Sequence, residues 1–183
     1  MAEKKLKHKM DEVDLIFQLG NLKNTKRSGW LTIGITDCES VAEHSFRCAV
    51  VAYIIAREEG LGPGDARRAM MAALMHDAHE SRMGDLHRLA KRYAKPDDAL
   101  AMKETLGRFL PEFTVNDKRI MEIVKDADLL EMFFQAKEYS DEGNSYAKLW
   151  LAPKKLKTAG AKRIYLKMIK RDSRRWILGA VKW

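Results

Sequence analysis

Cysteine is scarce in this chain, with two thiols, Cys38 and Cys48, among 183 residues. That excludes a disulfide framework and fits a reducing, cytoplasmic setting. Long apolar runs are missing as well. The longest, Ala49 to Ala56 and Ala69 to Met75, fall far short of the about 20 residues needed to cross a bilayer, so no membrane span is expected. The opening residues, Met1 to Met10, lack the apolar stretch of a secretory leader. Strict period-two alternation is absent, although residues 30–36 read as extended. No repeat, low-complexity tract or linker divides the chain. A hydrophobic fraction of 46% beside 33% charged residues belongs to a folded globular protein.

What the chain has in excess is positive charge, +8 overall, and its placement is uneven. Residues 150–183 carry eleven Lys or Arg and a single acid, Asp172, while residues 1–149 carry 23 basic and 25 acidic residues. A mildly acidic body is thus followed by a strongly basic terminal segment. The segment 161–178 reads as a basic helix with Ile164, Tyr165, Met168, Ile169 and Trp176 as its apolar positions. It either packs through those residues with its cations solvated, or lies on RNA, DNA or an anionic membrane surface.

Helical periodicity dominates elsewhere. From Met10 to Leu22 the apolar face is Val13, Ile16, Phe17 and Gly20, widened by Leu15, Leu19 and Leu22. A second helix spans 39–59, opened by Ser40 with Glu43 as a capping box, and ends before Gly60-Leu-Gly-Pro-Gly64. Asp65 caps a third helix that runs to about Glu80. Residues 81–96 read as a functional loop with one short helix. Helices follow at 97–110, stopped by Pro111, and from a Thr114 cap to about Asp141. Two more are expected at about 145–157 and 160–178. The expectation is one all-α domain over 1–183, with a core at about 10–145 and a basic helical segment at 146–183.

Three of these helices place ionisable residues where packing favours apolar ones. His44 sits on the stripe of Val41, Cys48, Val51 and Ile55. His76 continues Ala69, Ala72 and Ala73, with Asp77 beside it and Glu80 one turn on. Asp128 shares a face with Met121, Val124 and Met132, whereas Asp126 neighbours Glu122 and reads as a surface or supporting carboxylate. Each residue alone is compatible with a hydrogen-bonded core histidine or a helix cap. Together, two imidazoles and two carboxylates from three helices suit one divalent transition metal, such as Mn, Co, Fe, Ni or Zn. The run His76-Asp-Ala-His79-Glu80 is not a zinc-protease helix, which requires histidines four apart with the glutamate between them. A two-metal site lacks the further downstream histidines it would need. His79 and His8 are assigned no role in the site.

The order His44, His76-Asp77, Asp128 resembles the signature of the HD-domain metal-dependent phosphohydrolases. Trp30, Glu43-His44-Ser45 and the run His76-Asp77-Ala-His-Glu80-Ser-Arg-Met-Gly84-Asp85 resemble its 5′-deoxynucleotidase branch in particular. The resemblance covers roughly residues 10–145. It implies a single all-helical HD domain, a homodimer, and hydrolysis of deoxyribonucleoside 5′-monophosphates to deoxynucleoside and phosphate. It also implies one metal ion per chain held by His44, His76, Asp77 and Asp128, with Glu80 and Asp77 as the catalytic carboxylates. Asp85, Leu86, His87 and Arg88 match the sugar-contacting turn, and Trp30 an aromatic substrate contact. Close relatives of the bacterial enzyme carry an arginine directly before the tryptophan. Gly29 stands there in this chain, so Arg27 is expected to meet the phosphate instead. Rival readings are an HD hydrolase of a cyclic nucleotide, a triphosphate or a signalling nucleotide, and a nucleic-acid-binding protein with a structural HD core.

Overall fold

A computed structural model describes residues 11–151 and 156–178. The expectations that touch Met1 to Met10, including His8, residues 152–155 and the last five residues lie outside that range. Helix α1 (Glu12–Gly20) opens on Asp11, whose carboxylate accepts from the backbone of Val13 and Asp14. The face expected to be core is turned outward, with Val13, Ile16 and Phe17 exposed by 53%, 70% and 78%. The other stripe, Leu15, Gln18, Leu19 and Leu22, is turned inward. Gln18 fixes that choice by donating to Ser81 Oγ at 2.9 Å and Thr105 Oγ1 at 3.1 Å.

Residues 30–36 are not extended. The short helix α2 (Ser28–Leu31) leads into turns, and among the described residues the sole strand-like pairing is an isolated bridge between Lys26 and Ser40. Helix α3 (Val41–Glu58) carries the expected capping box of Ser40 and Glu43. Helix α4 (Pro63–Met75) has Gly62, not Asp65, at its N-cap, and Pro63 takes the first position, where no amide hydrogen is needed. It stops at Met75 rather than Glu80, and a turn over 76–79 leads to the single-turn α5 (Glu80–Met83). Gly84, with φ +76°, ends α5 in backbone that L side chains rarely adopt.

Helix α6 (Asp98–Leu106) is shorter than expected, and Pro111 lies inside the next single turn, α7 (Leu110–Phe113), instead of stopping a helix. The long α8 (Lys118–Asp141) is capped by Asp117, whose carboxylate accepts from Arg119 and Ile120, and not by Thr114. A 3-10 turn over Ser145–Trp150 replaces the expected helix there. The basic segment forms two pieces, α9 (Ala159–Met168) and α10 (Arg175–Leu178).

Helices α3, α4 and α8 form the centre. Ile55, Ile120, Ile123 and Leu130 are fully buried there, and Ala66, Ala69 and Ala73 let α4 approach closely. The same core continues past residue 145 into Leu156, Ala161, Tyr165 and Met168. Gly160 lies inside α9, not before it. A Cβ there would meet Glu58 Cβ at 3.0 Å, and its amide donates to Glu59 Oε1 at 2.5 Å. The α9 cations Lys162, Arg163 and Lys167 face solvent, and Trp176 is 73% exposed.

Candidate metal and substrate site

The ligand-type residues meet where α3, the end of α4 and α8 converge. His44, fully buried in α3, points Nε2 to within 3.3 Å of Asp128 Oδ1 and 3.7 Å of Asp77 Oδ2. His76 Nε2 lies 3.1 Å from Asp77 Oδ2 and 3.8 Å from Asp128 Oδ1. Neighbours on a regular helix diverge by about 100°. Because α4 ends at Met75, His76 and Asp77 occupy a turn and can aim at one point. His76 is anchored from behind, its Nδ1 lying 2.6 Å from the Ala73 carbonyl.

Both Nε2 atoms are buried without a hydrogen-bond partner. A buried nitrogen left bare is costly, and a metal ion removes that cost. Ligand bonds of about 2.0–2.2 Å place neighbouring donors roughly 3.0–3.6 Å apart, close to the separations found here. The residues therefore fit a divalent ion. Cys48 also approaches, its sulfur lying within 4.8 Å of the ring nitrogens of His44 and His76. Burial pushes its thiol well above the usual range, so it lines the site as a neutral group. A second close set, Glu39, His44 and Glu131, lies on the other side of the His44 ring.

Protonation in the metal-free chain follows the same geometry. Burial opposes charge on His44, yet the carboxylates of Asp128 and Glu131, facing its two ring nitrogens, raise it to about 9. His76 is raised well above its usual value against burial, chiefly by Asp77 and Asp128. Burial works against ionised Asp77, but His76 and Arg27 hold it at about 2. Asp128 is lowered further, by His44 and His76. The imidazoles thus hold protons that a metal ion would displace.

A cavity of about 540 Å³ opens beside this cluster and is lined by Arg27, Trp30, Asp77, Glu80, Asp85, Leu86, His87, Arg88 and Asp128. Every residue expected from the resemblance to touch substrate lines it. Glu80, 4% exposed, has one oxygen without a partner. Burial first, then Asp77 and Asp85, raise its carboxyl to about 9 in the absence of metal. Arg27 Nη1 lies 3.3 Å from Asp77 Oδ2 and 3.7 Å from Asp85 Oδ1, and those carboxylates hold its guanidinium charged despite burial. Asp85 Oδ2 accepts from the Ser28 amide at 2.5 Å and hydroxyl at 2.9 Å, leaving Oδ1 toward the arginine. Trp30 is mostly core. Its Nε1 donates to Glu39 Oε1 at 2.9 Å, and its ring meets Tyr139 and Trp150 edge-on.

Sequence reasoning missed Lys91, Leu129, Met132, Phe133, Leu149 and Trp150, which line the same cavity. Nothing in the sequence ties Trp150 to Trp30. Lys91 stood in the stretch read as a functional loop, and that was the available signal. Asp126 is not a surface group. It is 1% exposed, and it accepts from the amides of Lys157 and Thr158 and from the Thr158 hydroxyl, tying α8 to the start of α9. His79 is buried and lies 3.7 Å from Asp98, away from the cluster.

Residues 19–162 match the HD domain family, and the chain belongs to that family. The mouse (Mus musculus) protein named 5′-deoxynucleotidase HDDC2 is 29% identical over 148 residues, 72% of this chain and 71% of that protein. Among solved structures, the protein AF1432 of Archaeoglobus fulgidus is 40% identical with a TM-score of 0.65, covering 87% of this chain and 93% of that one. A conserved hypothetical protein of Pyrococcus furiosus is 29% identical with a TM-score of 0.74, covering 87% and 99%.

Proposed function

We propose that this HD-domain protein is a metal-dependent 5′-deoxynucleotidase, hydrolysing deoxyribonucleoside 5′-monophosphates to deoxynucleoside and phosphate. The observation that carries the reading is the convergence of two bare, buried imidazole nitrogens with Asp77 and Asp128 at the wall of a cavity holding Glu80 and Arg27. The curated relative's name supplies the substrate class. His44, His76, Asp77 and Asp128 hold one divalent ion, drawn from Mn, Co, Fe, Ni or Zn.

Phosphate monoesters hydrolyse extremely slowly unaided. The ion, when bound, neutralises phosphoryl charge and lowers the pKa of water. Arg27 donates charge-assisted hydrogen bonds to the phosphate from a position already fixed by Asp77 and Asp85. Glu80 holds or moves the proton of the attacking water. Asp77 touches both His76 and Arg27, and so couples the ligand cluster to the phosphate subsite. Asp85 Oδ1 and the Leu86, His87 and Arg88 turn meet the sugar, while the Leu149 and Trp150 end of the cavity takes the base.

Two further parts belong to this proposal. The chain acts as a cytoplasmic protein, in keeping with its free buried cysteines, and no described helix is long and apolar enough to cross a membrane. It works as a homodimer through the exposed stripe of Phe46, Val50 and Ile54 on α3. The test is phosphate release by metal-reconstituted protein across deoxy- and ribonucleoside monophosphates, cyclic nucleotides and triphosphates. Deoxynucleoside monophosphates should be turned over best, and turnover that survives metal removal would overturn the reading. Salt-sensitive nucleic-acid binding without turnover would instead support the rival function.

A further inference from the structure

The face of α8 that presents Asp128 continues into three polar residues to which the hydrolytic chemistry gives no task, Glu131, Gln135 and Glu138. Spaced three or four apart, they share one stripe. Glu131 is wholly buried. Its Oε2 makes a short hydrogen bond with His44 Nδ1. Its Oε1 accepts from Arg47 Nε at 2.8 Å and lies 2.7 Å from Arg47 Nη2. Arg47 donates from Nη1 to both Glu138 oxygens, at 2.9 and 2.7 Å, and from Nη2 to Gln135 Oε1 at 2.6 Å. One turn of α3, His44 and Arg47, is thereby clamped to about two turns of α8.

A buried ion pair is a poor way to hold two helices together, because an apolar pair of similar volume packs them without the desolvation cost. The arrangement does something an apolar pair cannot. An imidazole that gives its Nδ1 hydrogen to a carboxylate keeps its lone pair on Nε2, in a fixed ring plane. Nε2 of His44 is the atom that faces Asp128 and Asp77. Asp128 and Glu131 are one turn apart on α8, so a single helix grips the ring at both edges.

We infer that Glu131 is a positioning residue for the metal centre, holding His44 in the tautomer and orientation that offer Nε2 to the ion, and that Arg47, braced by Gln135 and Glu138, holds Glu131. The inference rests on the metal-dependent reading above. Glu131 touches neither substrate nor ion, and its effect is transmitted through the ring.

The test is Co²⁺ binding by the full chain, followed by competition with a chromophoric chelator and by the cobalt ligand-field spectrum, with thermal unfolding recorded alongside. Glu131→Gln keeps the volume, yet its amide can accept from His44 or from Arg47 but not from both. It should bind Co²⁺ about 10–100-fold more weakly, with an altered spectrum. Arg47→Gln leaves the Glu131–His44 contact but frees the carboxylate, and should fall between the two; it carries the test if Glu131→Gln does not fold. Affinity within twofold of wild type in both folded variants would overturn the inference and leave a purely structural ion pair. His44→Ala separates the two levels: if it binds Co²⁺ like wild type, the metal assignment itself fails, whereas lost binding in His44→Ala with none lost in Glu131→Gln rejects the positioning role alone.

Discussion

Arg27 and Asp77 lie fifty residues apart in sequence and meet at 3.3 Å through Nη1 and Oδ2. The contact joins the loop before α2 to the turn after α4, and it puts the half-buried guanidinium of Arg27, at the cavity wall, against a carboxylate of the ligand cluster. In the function proposed above Arg27 is the residue that meets the phosphate, a role for which Gly29 has no side chain. Replacing Arg27 by Met should lower kcat/KM for a deoxynucleoside monophosphate by about 100-fold, the effect of losing one preorganised donor to developing charge. Steady-state phosphate release measures this, and Arg27→Lys should recover only part of it, because an ammonium lacks the fork.

Glu80 is close enough to Asp77 to feel its charge, and one of its oxygens has no hydrogen-bond partner. Glu80→Gln should lower kcat by about 10²–10⁴-fold, the range for a lost acid or base, while Co²⁺ affinity stays near wild type. A parallel loss of metal would show that Glu80 belongs to the ligand set.

The proton on His44 gives the metal-free protein a pH signature. Its folded value, about 9 against an ordinary 6.5, is raised by Asp128 and Glu131 in spite of burial. The folded state binds that proton more tightly, so the stability it contributes is complete below pH 6.5 and is lost as pH rises through 9. Thermal midpoints of metal-stripped protein should fall across that window, less steeply in His44→Gln. Added metal should stabilise more at the upper end, where no proton need be displaced.

Asp126 and Asp128, two residues apart on α8, should separate cleanly. Asp126→Ala strips the acceptor from two amides and a hydroxyl at the start of α9 and should cost about 2–3 kcal/mol in denaturant unfolding, with turnover per folded molecule retained. Asp128→Asn should abolish turnover and metal binding even in molecules that remain folded.

The exposed stripe of Phe46, Val50 and Ile54 predicts a dimer in sedimentation equilibrium, and Phe46→Glu should shift it to monomer. A monomeric wild type would remove this part of the proposal.

Local rules made much of this protein legible. Ser40 and Glu43 cap α3 because both partners lie within one turn, and His44, His76, Asp77 and Asp128 stood out because ionisable residues interrupted apolar stripes. Tertiary structure decided what depends on distance between elements. Periodicity identified α1 as a helix, but two apolar stripes competed, and only Gln18 reaching Ser81 and Thr105 turned the Leu15 and Leu19 side inward. Asp126 read as a surface group because its partners, Lys157 and Thr158, come from a segment thirty residues on. Trp150 joined the cavity, and Glu131 came behind His44, through packing of one helix on another. Spacing along a chain fixes which residues share a face; which face meets which is settled only when the core closes.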